Sequence, residues 1–170
     1  HVYENAHLKN ISIMHSMLSF VISMMLVFRT NSAYDRWWEG RKHWGSLLNN
    51  SRNLSLKLNA ILPDTAAIDR EYYSAMIANY AIALKNHLRS GYHPEEFYAH
   101  PWFDLNRLKQ ENHQPNFIAR DMFNRIHKLH KEGLINNEQI LYINPELISF
   151  TDICGACERI KNTPIPFSYS

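Results

Sequence analysis

The chain has 170 residues, 45% of them hydrophobic, which is enough for one domain with a real core. Lysine and arginine number 18 against 16 acidic residues, and a net charge of +2 is too small to argue for a nucleic-acid partner. Two cysteines, Cys154 and Cys157, cannot supply the four ligands of a structural zinc site or a disulfide framework, and sparse Gly and Pro among abundant Leu, Ile, Ala and Met give an all-α fold class.

Taken in chain order, residues 1–10 are polar and mixed in charge, and no small-residue cleavage pattern follows, so no cleavable signal is expected. Residues 11–28 form an uncharged run whose helical length is about 27 Å, close to the ~30 Å bilayer core. Its polar members, His15, Ser12, Ser16, Ser19 and Ser23, point to helix contacts or a watery lumen in a membrane. The competing expectation is a buried core helix of a soluble bundle. Arg29, Arg36, Arg41 and Lys42 follow the run while only Lys9 precedes it, so the positive-inside rule places the C-terminal end in the cytoplasm. Trp37, Trp38 and Trp44 lie just beyond, where they would suit an interface, a vestibule wall or packing into the following domain.

Trp44, Leu47, Leu48, Leu54, Leu58 and Ile61 mark one helical face up to Pro63, which blocks continuation, so one helix is expected to run unbroken from membrane to cytoplasm. A second helix is predicted from Asp64 or Thr65 to Gly91, with Tyr73, Met76, Ile77, Tyr80, Leu84 and Leu88 on one side. Residues 93–115 read as a connection with one short helix around residues 104–109. A third helix is placed from an Asn116 cap through Ile118, Met122, Ile126 and Leu129 to Gly133. The last is placed from Asn144-Pro145 through Ile148, Ile153 and Ile160, stopping at Thr163-Pro164-Ile165-Pro166. No period-two alternation offers a strand.

Cys154-x-x-Cys157 has no βαβ context for a redox role and reads as small packing residues in a helix. His127 and His130 share a helical face with Asp121 and Glu132 nearby, but no Glu-x-x-His motif occurs, which argues against a di-metal hydrolase or oxidoreductase bundle. Nucleophile-elbow, phosphate-loop and dinucleotide signatures are missing too. The chain is therefore read as no enzyme and as needing no metal or other cofactor.

Two stretches are more distinctive. Phe28-Arg29-Thr30-Asn31-Ser32-Ala33-Tyr34-Asp35-Arg36-Trp37-Trp38-Glu39 and Asp152-Ile153-Cys154-Gly155-Ala156-Cys157-Glu158-Arg159-Ile160-Lys161-Asn162-Thr163-Pro164-Ile165-Pro166 both resemble bacterial bestrophins. The first is similar to the end of that family's pore-lining second membrane helix, with its Arg36-Trp37-Trp38 hallmark. The second is similar to the approach to the third membrane helix, through Glu158, Arg159, Pro164 and Pro166. The resemblance implies a homopentameric ion channel in the bacterial inner membrane, in contact with the lipid bilayer and passing chloride or monovalent cations. It also implies a membrane helix before His1 and further helices after Ser170, where eukaryotic members form most of a calcium clasp. Carried over by position, Phe20, Met24 and Phe28 would be the pore neck and Ile165 the lower aperture. At four-residue spacing each neck residue turns about 40° and rises ~6 Å from the last, giving one gently wound stripe that could gate by dewetting; read from spacing alone, the same residues are ordinary packing knobs. Pro164 and Pro166 would hold Ile165 without a helix, or simply end one. The implied organisation of residues 1–170 is a pore-lining helix at 8–30, a cytoplasmic helical region at 31–162 and an entry to the next membrane helix at 163–170. A soluble all-α interaction module without a pore is the alternative.

Overall fold

One helix, α1 (Val2–Ile61), carries the chain through its apolar run and on into a helical bundle without a break. Sixty residues of helix extend about 90 Å at 1.5 Å each, three times a bilayer core. The computed structural model describes residues 2–91 and 93–163, with side chains from residue 11 onward. After α1 come α2 (Ala67–Arg89), a 3-10 turn (Pro94–Glu96), α3 (Leu105–Gln110), α4 (Gln114–Lys131) and α5 (Asn137–Asn162). Among the described residues no strand forms; His100 and Phe103 make an isolated bridge. The all-α expectation holds.

Among the described residues of α1, only those of its second half are covered. Leu47, Leu54 and Leu58, at steps of seven and four, are buried with Leu62 in the core, and this stripe lies chiefly against α5. Trp44 and Leu48, expected on the same face, are exposed, because the packed stripe is narrower than the apolar one. The two helices run antiparallel: Asn50 Nδ2 donates to the Glu146 carbonyl at 2.8 Å, and further along α1, Lys57 Nζ donates to the Tyr142 carbonyl at 2.8 Å. Lys57 also pairs with the Glu146 carboxylate at 2.7 Å and sits 4.1 Å over the Tyr142 ring. Pro63 ends α1 as expected, and Arg70 donates to the carbonyls of Leu62 and Pro63, supplying the partners that a helix end leaves missing.

α2 starts at Ala67, two or three residues later than expected, without a side-chain cap. Its buried tyrosines reach across the bundle: Tyr73 donates to the Met122 carbonyl at 2.9 Å, Tyr80 to the Phe150 carbonyl at 2.6 Å, and Tyr72 to Asp121 Oδ2 at 2.6 Å. Each phenol thus buries a ring while keeping its hydroxyl bonded. The helix ends on Ser90 in the left-handed region (φ 54°), not on Gly91, whose N–H instead donates back to the Asn86 carbonyl. Asn79 then pins the connection by a reciprocal pair with the Tyr98 backbone, at 2.8 and 2.9 Å. The short helix near Asp104 is present, capped by the Asp104 carboxylate on the N–H groups of Asn106 and Arg107.

Two starts differ from the sequence reading. α4 begins at Gln114, and the cap is His113, whose Nδ1 accepts from the Asn116 N–H at 3.2 Å; Pro115 occupies the first turn, where no N–H is needed. The predicted face, Ile118, Met122, Ile126 and Leu129, is buried, and Gly133 (φ 74°) closes the helix. α5 begins at Asn137, seven residues before Asn144, on a reciprocal capping box between Asn136 and Gln139. Pro145 lies inside it. The carbonyl that Pro145 cannot bond belongs to Leu141, an exposed residue, where the lost hydrogen bond costs less than it would in the core. Ile148 is consequently exposed, and α5 buries Ile143, Leu147, Phe150, Ile153, Cys154 and Cys157 instead.

Candidate functional site

The described part of the first half of α1 is bare. From residue 11 to 28 every side chain is exposed, including Phe20 (69%), Met24 (48%) and Phe28 (47%). Residues 11–61 include an 18-residue window of mean hydropathy 2.0, none of it buried. The core-helix expectation fails: nothing among the described residues covers the run. Leaving so many large apolar groups in water costs about 25 cal/mol per Å², so lipid or other protein segments must cover them. Ser16 Oγ donates to the Ser12 carbonyl at 3.0 Å and Thr30 Oγ1 to the Leu26 carbonyl at 2.8 Å; these hydroxyls are satisfied within the helix and do not oppose an apolar surrounding.

Where the run ends, the two sequence-distant motifs meet. Arg36 donates to the Ile160 carbonyl at 2.8 Å and to the Thr163 carbonyl, so a guanidinium neutralises the last, unpaired carbonyls of α5. Glu39 pairs with Arg159 and lies 3.8 Å from His43. Trp37 and Trp38 do not join this clasp. They stand exposed on the outside, ring centroids 6.2 Å apart, with Tyr34 5.7 Å from Trp37 and Lys42 5.7 Å over Trp38. Pro164, Ile165 and Pro166, the expected lower aperture, lie outside the described residues.

Glu158 turns the other way from Arg159. Its Oε1 lies 2.6 Å from His87 Nε2 and 3.0 Å from His113 Nε2. Burial raises its carboxyl, but the hydrogen bonds from His87 and His113 outweigh that and hold it below the usual carboxylate value. His127 and His130 form no such group. The His87, His113 and Glu158 cluster was not legible in the sequence, since no short-range spacing links residues on α2, α4 and α5.

Cys154 and Cys157 are buried free thiols in α5. Burial, then the Glu158 charge, push Cys154 up to about 12, and the same causes raise Cys157. Both therefore stay thiols at neutral pH. The folded protein is expected to react with a water-soluble thiol reagent only after denaturant is added, with both thiols then titrating; rapid labelling of the native protein would contradict this burial.

A bare membrane-length helix clasped to a helical bundle is the arrangement of a membrane protein, and the relatives of the chain agree. It matches the family model described as bacterial/fungal bestrophin protein over residues 2–170. It is 35% identical over 158 residues to a voltage-dependent anion channel-forming protein of Nostoc sp., covering 89% of this chain and 51% of that one. A protein of the same description from Escherichia coli (strain K12) is 34% identical over 158 residues, covering 91% and 51%. A crystal structure of a bacterial bestrophin homolog from Klebsiella pneumoniae superposes with a TM-score of 0.81 at 26% identity, covering 91% of this chain and 58% of that one. The chain belongs to the bestrophin family, and it spans about half the length of the curated relatives it matches.

Proposed function

We propose that this chain is part of an ion-channel subunit, not an enzyme, and that copies of its α1 surround a water-filled axis. The observation that carries the reading is the bare stripe of Phe20, Met24 and Phe28 on a helix continuous with the bundle. In a homopentamer these residues become stacked apolar rings, a neck that empties of water unless it widens slightly. Ile165, held by Pro164 and Pro166, forms the lower aperture. Residues 8–30 line the membrane pore, 31–162 build the cytoplasmic vestibule and 163–170 lead to the next membrane helix. The excess of Arg and Lys after the run favours a bulk cytoplasmic placement in the bacterial inner membrane. The names of the relatives favour small anions such as chloride over monovalent cations. An apolar neck carries no charge to choose between them, so the field of the vestibule selects.

The test is planar-bilayer recording of the purified full-length oligomer with Phe20, Met24 and Phe28 together replaced by alanine. Conductance or open probability should rise several-fold, because wider rings stay wet. Currents identical to the unmodified channel would remove these residues from the neck.

A further inference from the structure

The cluster of His87, His113 and Glu158 is unexplained by ion conduction. Its three donor atoms lie within 4.8 Å of one another and come from the last turn of α2, the cap of α4 and the C-terminal part of α5. Both imidazoles aim Nε2 at one carboxylate oxygen, at 2.6 and 3.0 Å, with ring centroids 4.5 Å apart. A structural ion pair needs only one such imidazole. Two that converge from separate helices on a single oxygen make the donor set of a mononuclear transition-metal site.

We propose that His87 Nε2, His113 Nε2 and a Glu158 carboxylate oxygen bind one zinc-class divalent ion, locking α2, α4 and α5 together at the end of the bundle nearest the Arg36 clasp. Ligand atoms about 2.0–2.1 Å from zinc in a tetrahedron lie roughly 3.3 Å apart, so from 2.6 and 3.0 Å the His87 and His113 nitrogens need to draw back from the oxygen by about 0.7 and 0.3 Å, within reach of side-chain rotation. The side chains are 24%, 33% and 29% exposed, which leaves an entry path. Two imidazoles and one carboxylate suit a borderline ion better than Mg²⁺ or Ca²⁺, which prefer all-oxygen shells. Three protein ligands leave a fourth position for water, and Glu158 also borders a cleft lined by Asn116, Arg120, Asn124, His127 and Thr151.

Loading has one structural consequence. His113 Nδ1 accepts from the Asn116 N–H, which in a neutral ring puts the proton on Nε2. A metal on Nε2 moves that proton to Nδ1 and breaks the cap bond. A single 3.2 Å hydrogen bond between neutral groups is weak against three coordinate bonds, so the exchange favours metal.

Full-length, tag-free oligomer stripped with chelator should bind one Zn²⁺ per subunit in titration calorimetry, confirmed by elemental analysis, with no competition from excess Mg²⁺. Glu158→Gln, His87→Gln and His113→Asn should each weaken binding at least about tenfold, as expected for lost ligands; asparagine keeps the helix cap while removing the imidazole. Zn²⁺ should also speed hydrogen exchange at the Asn116 amide of the unmodified protein, a readout independent of any variant's folding. Absence of zinc binding, or binding unchanged in folded variants with no change at Asn116, overturns the site. Because no current is measured, its failure and that of the channel reading are separate results.

Discussion

Asp69→Ala should destabilise the folded bundle by roughly 3 kcal/mol or more, the range for a buried ion pair that loses one member. Asp69 is buried in the first turn of α2, where the helix dipole favours a carboxylate, and its Oδ1 accepts from Arg125 Nε on α4. Arg125 is itself largely buried, with Cζ 4.3 Å over the Trp102 ring. Its other carboxylate, Glu132, is 3.5 Å away and more exposed, so it compensates only in part. Removing Asp69 strands a guanidinium that stays charged at any accessible pH. At about 3 °C per kcal/mol, the thermal midpoint of the full-length protein by circular dichroism should fall on the order of 10 °C. Asp69→Asn, which keeps an acceptor, should lose less than half as much. Equal midpoints for the alanine variant and the parent would show that this pair does not hold α2 to α4.

Phe150→Ala should cost about 3–5 kcal/mol, the range for truncating a fully buried aromatic residue. Its ring is inaccessible to solvent and meets Tyr80 edge to face at 4.8 Å, in the middle of the α2 and α5 contact. The Tyr80 hydroxyl donates to the Phe150 backbone carbonyl, which survives the substitution, so the loss is one of packing and not of hydrogen bonding. Phe20→Ala provides the contrast. That ring is 69% exposed among the described residues, and the same truncation there should leave the stability of the bundle within about 0.5 kcal/mol of the parent. Similar losses at both positions would mean that the apolar run is packed in the subunit core.

The faces of α2 and α4 were legible because Tyr73, Met76, Tyr80 and Leu84, and Ile118, Met122, Ile126 and Leu129, recur at helical spacing and are all buried. The start of α5 was misread because Asn144-Pro145 imitates a cap more obviously than Asn136 with Gln139 does. A proline can stay inside a helix when the carbonyl it abandons faces water, and local sequence does not say which carbonyls do. Leu48 and Ile148 were assigned to packed faces for a related reason: periodicity marks where apolar residues lie and leaves open how wide a stripe the neighbouring helix covers.

By itself the sequence determined the all-helical class, the membrane-length run, the unbroken passage of α1 to Pro63 and the family, because these rest on local composition, periodicity and contiguous motifs. Only the tertiary structure decided that the run is covered by nothing among the described residues, that Arg36 and Glu39 close on Ile160, Thr163 and Arg159, and that His87 and His113 converge on Glu158. Those contacts join residues 45 to 127 positions apart, and no helical period reaches that far; the turns and the packing of α2, α4 and α5 against one another bring them together.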